Sequence, residues 1–94
     1  MELSERAIRK FEAEDFLSVY EHQDLPGTVY PEHSHQGKVS IFVTDGSITF
    51  DFNGEKKEIL APNRFDIPKN TPHSATVGPN GGIMIIAEEI KGDS

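Results

Sequence analysis

Apolar and polar residues alternate most clearly between residues 39 and 52. Val39, Ile41 and Val43 alternate with Lys38, Ser40 and Thr44 on one stretch. Ile48, Phe50 and Phe52 alternate with Ser47, Thr49 and Asp51 on the next. A period of two marks a strand with one face in a core. Asp45-Gly46 separates the two runs and Asn53-Gly54 follows the second. Such dipeptides supply the positive φ that a two-residue hairpin turn needs at both central positions. A turn at Asp45-Gly46 sets Val43 opposite Ile48, Ile41 opposite Phe50 and Val39 opposite Phe52, with all three pairs on one face. Phe42 breaks the alternation. It puts a large apolar group on the outer face, to be covered by the N-terminal segment or by a second subunit.

The rest of the chain extends this picture. Ser4 to Ala13 predicts the one helix, with Ser4 as its N-cap and Leu3, Ala7, Ile8 and Phe11 on one side. Ala7, Arg9, Phe11 and Ala13 also read as alternation, so a strand stays open there. Phe16–His22 reads as a strand, and "DLPG" as the turn after it. Further strands fall at Glu58–Leu60, Arg64–Ile67, His73–Val77 and Ile83–Ile90, separated by "PNRF", "PKNTP" and "GPNGG". Short strands at regular spacing with Gly, Pro and Asn between them predict an all-β sandwich or small barrel. Neither repeat nor linker interrupts residues 1–94, so one domain is expected. Gly92-Asp93-Ser94 reads as a frayed end.

Composition narrows the function classes. Nine basic against sixteen acidic residues give a net charge of −7. Nucleic acid and anionic membrane both need a positive face, so neither is expected as a partner. No apolar run reaches the roughly 18–20 residues of a membrane span. The segment "MELSERAIRKFEAEDF" has no apolar signal-peptide core, so a cytoplasmic location is the expectation. The chain has no cysteine, which excludes disulfides and thiolate metal sites.

The candidate chemistry lies in "PEHSHQGKVSIFVTDG", residues 31–46. His33 and His35 share parity with Val39, Ile41 and Val43. A strand running without a bulge would point both imidazoles into the interior, where they could reach one ion. His73, at the start of a later predicted strand, offers a third arm. Pro68 and Pro72 stiffen its approach, and Asn70 can take a positive φ where a turn needs one.

These residues resemble the cupin superfamily. Its first motif sets Gly, His-x-His, Glu and Gly in order; Gly27, His33, His35 and Gly46 match it, and Val39 stands where the Glu belongs. The second motif is carried by Pro68 to His73, within Pro62–Val77, and departs from the pattern at Pro62, Asn70 and Val77. Fifteen residues, Ser47 to Ala61, separate the motifs. The resemblance implies a double-stranded β-helix (jelly-roll) barrel, often a homodimer. It also implies a divalent transition metal (iron, zinc, nickel, manganese or copper) on His33, His35 and His73.

Val39 cannot donate an electron pair, so a three-His, one-Glu site is excluded at that position. Three neutral imidazoles leave the dication's charge uncompensated and favour transition metals over magnesium or calcium. Glu55 is a candidate surrogate ligand, because the Asn53-Gly54 turn places it opposite Phe52. Lys57 shares that inward parity and is a candidate anchor for a ligand carboxylate. His22 and Glu32 are candidate general bases, while Tyr20 and Tyr30 read equally as packing groups. Two functions follow. One is a metal-dependent enzyme, a dioxygenase, isomerase or lyase acting on a small polar organic acid or sugar derivative. The other is a non-catalytic small-molecule binding or sensing module, with or without metal.

Overall fold

The computed structural model describes residues 2–90; the expected frayed end at Gly92-Asp93-Ser94 lies outside them. One helix and six strands follow in order: α1 (Leu3–Ala13), β1 (Ser18–Asp24), β2 (Val29–His33), β3 (Val39–Phe52), β4 (Glu55–Leu60), β5 (Asn63–Ile67) and β6 (His73–Glu88). All strand pairings are antiparallel.

Two long strands, β3 and β6, pair with each other over most of their length and bend together. On one side of the bend, Val39–Gly46 pairs with Glu88–Gly82. That half is flanked by β1 on β6 and by β5 on β3. On the other side, Ile48–Asp51 pairs with Val77–Ser74. There the flanking strands are β2 and β4. The result is two four-stranded layers, β1-β6-β3-β5 and β2-β6-β3-β4, that share their central strands. This is the expected double-stranded β-helix.

The bend corrects the sequence expectation at Asp45-Gly46. No hairpin forms there, and β3 continues through the dipeptide as one bent strand. Its pairing with β6 slips twice, between Val43 and Asp45 and between Gly46 and Ile48. Gly46 has φ 72°. A Cβ at Gly46 would lie 1.9 Å from the Gly81 carbonyl oxygen, so the two strands touch backbone to backbone at the corner. Val43 therefore faces Asn63 of β5 and Met84 of β6, not Ile48. The Asn53-Gly54 turn does form, with φ 55° and 98°, and joins β3 to β4.

The inward set is as the alternation predicts. Val39, Ile41, Val43, Ile48 and Phe50 are buried with Ile67, Ala75, Val77 and Met84 in the core between the layers. A second cluster lies outside the first layer, where Ala7 and Phe11 of α1 pack on Ile85 and Ala87 of β6. Phe42 packs there too, so the N-terminal segment covers its outer face. Strand segments buried on both faces read as continuous apolar runs, which explains "VSIFV" and "IMIIA". α1 begins one residue earlier than expected. Its N-cap is Glu2, which makes no side-chain cap, and Ser4 lies inside the first turn. Arg64 of β5 pins the other end of α1, donating to both Glu14 carboxylate oxygens at 2.6 and 2.7 Å and lying over the Phe11 ring.

Candidate functional site

The two layers enclose a cavity of about 510 Å³. Its walls are mainly hydrocarbon: Val39, Ile41, Ile48, Phe50, Ile67 and Met84 all face it. Polar groups enter at a few points, among them His33, His35 and His73. A mostly apolar concavity with few convergent polar groups is the usual form of a small-molecule site.

The three histidines come from three different local settings. His33 is the last residue of β2, and His73, the first of β6, is its register partner. His35 lies in the bend between β2 and β3. The strand therefore does not run from His33 into Val39 as the parity argument assumed; His35 turns inward because of the bend. The Asn70 amide donates to the His35 carbonyl at 2.7 Å, tying that bend to the loop that leads to His73. Asn70 has φ 57°, the positive value expected of it.

One potential ligand atom from each of these histidines lies within 4.8 Å of the other two. His35 and His73 are buried and His33 is exposed at the rim. The ring centroids of His33 and His73 are 4.5 Å apart, and those of His33 and His35 are 4.8 Å apart. His33 Nδ1 is 2.8 Å from the Pro31 carbonyl oxygen, and His73 Nδ1 is 2.8 Å from that of Thr71. A carbonyl only accepts, so Nδ1 carries a proton in both rings and Nε2 is the nitrogen left for ligation. Burial holds the His73 pKa below its ordinary value, and the neighbouring His33 and His35 add to that. His73 is thus kept in the neutral form that ligates metals.

Two hydrogen-bonded groups complete the polar wall. At one, His22 Nε2 lies 2.9 Å from both Asp24 Oδ1 and the Tyr30 hydroxyl. Tyr30 donates to Asp24 at 2.7 and 2.8 Å. Burial and the Asp24 carboxylate raise the Tyr30 pKa, so it remains a phenol. At the other, Tyr20 donates to Glu88 Oε2 at 3.0 Å. Tyr20, Tyr30 and His22 all face the cavity. The tyrosines are therefore polar wall groups as well as packing groups.

Other sequence candidates stand apart. Glu55 pairs with Phe52 as expected but is exposed, and it is not part of the histidine cluster. Lys57 is exposed and outside the cavity wall. Glu32 is exposed at the rim. Val39 lies in the wall, so the position of the expected carboxylate is hydrocarbon. Glu88 is the residue sequence reasoning missed. Its signal was an acid at the end of an apolar run, with the parity of Met84 and Ile86.

The family model for the AraC-like ligand binding domain matches residues 16–85. Among curated proteins, none matches. The solved structures with this fold include an RmlC-like cupin from Shewanella frigidimarina NCIMB 400. It has TM-score 0.70 and 24% identity over 83% of this chain and 70% of that one. KdgF from a Halomonas species has TM-score 0.63 and 22% identity over 80% of this chain and 71% of that one. The polyketide cyclase RemF from Streptomyces resistomycificus has TM-score 0.64 and 24% identity over 77% of this chain and 54% of that one. At these identities the likeness is one of fold.

Proposed function

The chain belongs to the AraC-like ligand-binding domain family, within the cupin superfamily, and we propose that it binds a small organic molecule at a divalent transition metal held by His33, His35 and His73. The observation that carries this reading is the convergence of three imidazoles on the wall of an apolar cavity, two of them with Nδ1 committed to backbone carbonyls.

The donor set fits such an ion. Zinc–nitrogen bonds of about 2.0–2.1 Å set tetrahedral ligand atoms roughly 3.3 Å apart. Ligand atoms already within 4.8 Å close to that spacing by side-chain rotation. Three neutral nitrogens suit zinc, iron, nickel or copper, whereas magnesium and calcium require oxygen. A bound metal would supply a Lewis acid whose charge no carboxylate of the set offsets. The chain's own residues do the rest. Pro31 and Thr71 carbonyls orient two rings, the Asn70 backbone amide ties down the backbone that carries the third, and hydrocarbon forms most of the wall.

The test is metal uptake. Protein purified without chelator should carry, or take up on reconstitution, close to one equivalent of a transition metal. His73→Ala should lose it. Full metal retention in that variant would refute the histidine assignment, and no uptake by the wild type would refute the metal.

A catalytic reading stands second. It is favoured by the His22–Asp24–Tyr30 group at the cavity, where a phenol, an imidazole and a carboxylate share hydrogen bonds and could pass protons to a ligand. The substrate class would be a small polar organic acid or sugar derivative. Turnover by the wild type that drops in Tyr30→Phe while metal content is retained supports it. Absence of turnover across such acids leaves the binding module.

A further inference from the structure

Glu88 is the buried acid that the histidine site does not use. It is 2% exposed, closes β6, and lines the same cavity as His73, which opens that strand. The joint bend of β3 and β6 brings both ends of β6 to one chamber. Tyr20 donates to Oε2 at 3.0 Å and so orients the carboxylate, whose residue lines the cavity. Apart from Tyr20, its cavity neighbours in the sheet are hydrocarbon: Val39 is its register partner on β3, and Ile86 precedes it on the same face. A carboxylate in an apolar chamber strongly favours a hydrogen-bond donor from whatever enters.

From this geometry we infer that Glu88, positioned by Tyr20, is a specificity-determining residue that recognises a hydroxyl or ammonium group on the ligand. The ligand then has two recognised groups, an acceptor or anionic group for the histidines and a donor for Glu88. This deepens the proposed ligand-binding reading and rests on it.

Calorimetric titration of zinc(II)-loaded protein tests the inference. Straight-chain carboxylates from propionate to hexanoate are compared with their ω-hydroxy and ω-amino counterparts. For at least one chain length the donor-bearing acid should bind about tenfold or more tighter than its parent, the scale of one hydrogen bond to a charged group. A larger gain for the ω-amino series identifies an ammonium donor, and for the ω-hydroxy series a hydroxyl. In Glu88→Gln the ratio of the two affinities should collapse toward one. Tyr20→Phe, which leaves the carboxylate in place but releases its orientation, should reduce the ratio severalfold. Equal affinities at every length, a ratio that survives Glu88→Gln, or no binding of either series overturns the inference. The His73→Ala arm separates the two readings. Parent acids that still bind there at wild-type affinity count against recognition by the histidines, while the donor ratio reports on Glu88 alone.

Discussion

Replacing Gly46 by alanine tests the corner that shapes the cavity. Gly46 has φ 72°, and leaving glycine at a left-handed position costs roughly 1–2 kcal/mol. The new methyl would also sit 1.9 Å from the Gly81 carbonyl oxygen and 2.8 Å from its carbon. Both are backbone atoms, so no side chain can swing aside; β3 and β6 must part. Overpacking of this kind costs about 1–3 kcal/mol more. The total, roughly 2–5 kcal/mol, is a large share of the ~5–15 kcal/mol that holds a domain together. At about 4–8 °C per kcal/mol for a domain of this size, the melting temperature should fall by at least ~8 °C. Gly54 is the control. Its φ is 98°, but nothing lies within 4 Å of its would-be Cβ, so Gly54→Ala should cost only the backbone share. Thermal and urea denaturation followed by circular dichroism give both values. If the two variants melt together, Gly46 is an open hairpin turn and the continuous β3 is wrong.

Three further outcomes are expected. His73 has its pKa lowered by burial from an ordinary 6.5, so the folded state holds fewer protons than the unfolded chain as the pH falls through that value. Metal-free stability should be full above about 6.5, decline from there to the lowered pKa, and level off below. Urea midpoints of the wild type and His73→Gln measure this, and an identical slope in both would refute it. Phe11 is 1% exposed against β6, so Phe11→Ala should cost about 3–5 kcal/mol while metal uptake, on the opposite face of that layer, is retained; a loss below about 1 kcal/mol would show that α1 is not docked. Val39→Glu places a second acid directly across from Glu88, with Cβ atoms about 4.5–5.5 Å apart. It should destabilise the metal-free protein, and the exchange Val39→Glu with Glu88→Val should recover much of the loss; equal stability of the single and the exchanged variants would show that the two positions do not face each other.

How the fold was legible turns on parity. The runs Val39–Val43 and Ile48–Phe52 bury odd and even residues respectively, so something between them must shift the alternation by one. A two-residue hairpin does that, and so does a bulge at a left-handed glycine. Asp45-Gly46 suits both, and only the approach of Gly81 from a distant part of the chain decides for the bulge. The inward residues were therefore readable and their partners were not. The histidines show the same split. His33 and His35 do meet, with His73 as the third, but the assumed straight strand is broken after His33. Glu88 escaped for another reason. The end of β6 is covered by α1 outside and by the cavity inside, so its apolar residues do not alternate with polar ones and no face can be assigned from pattern alone.

The register between β3 and β6 gives Val39 its meaning. The cupin motif expects a carboxylate there, and the chain instead carries one at Glu88, directly across the strand pair. The acid has not joined the histidines: they form their cluster without it, and Glu88 is held by Tyr20. Moving a carboxyl group from one member of a cross-strand pair to the other keeps an acid in the cavity wall but leaves it outside the histidine cluster. A neutral three-histidine set leaves a bound dication attractive to an anionic ligand head, whereas a fourth, carboxylate ligand would offset part of that charge. In the proposed reading the detached carboxylate would favour a donor group on the same ligand and disfavour a second anionic one. Both effects select the same kind of molecule, one that carries both an acceptor and a donor. The absence of a carboxylate at residue 39 and its presence at residue 88 are two sides of one arrangement for recognition.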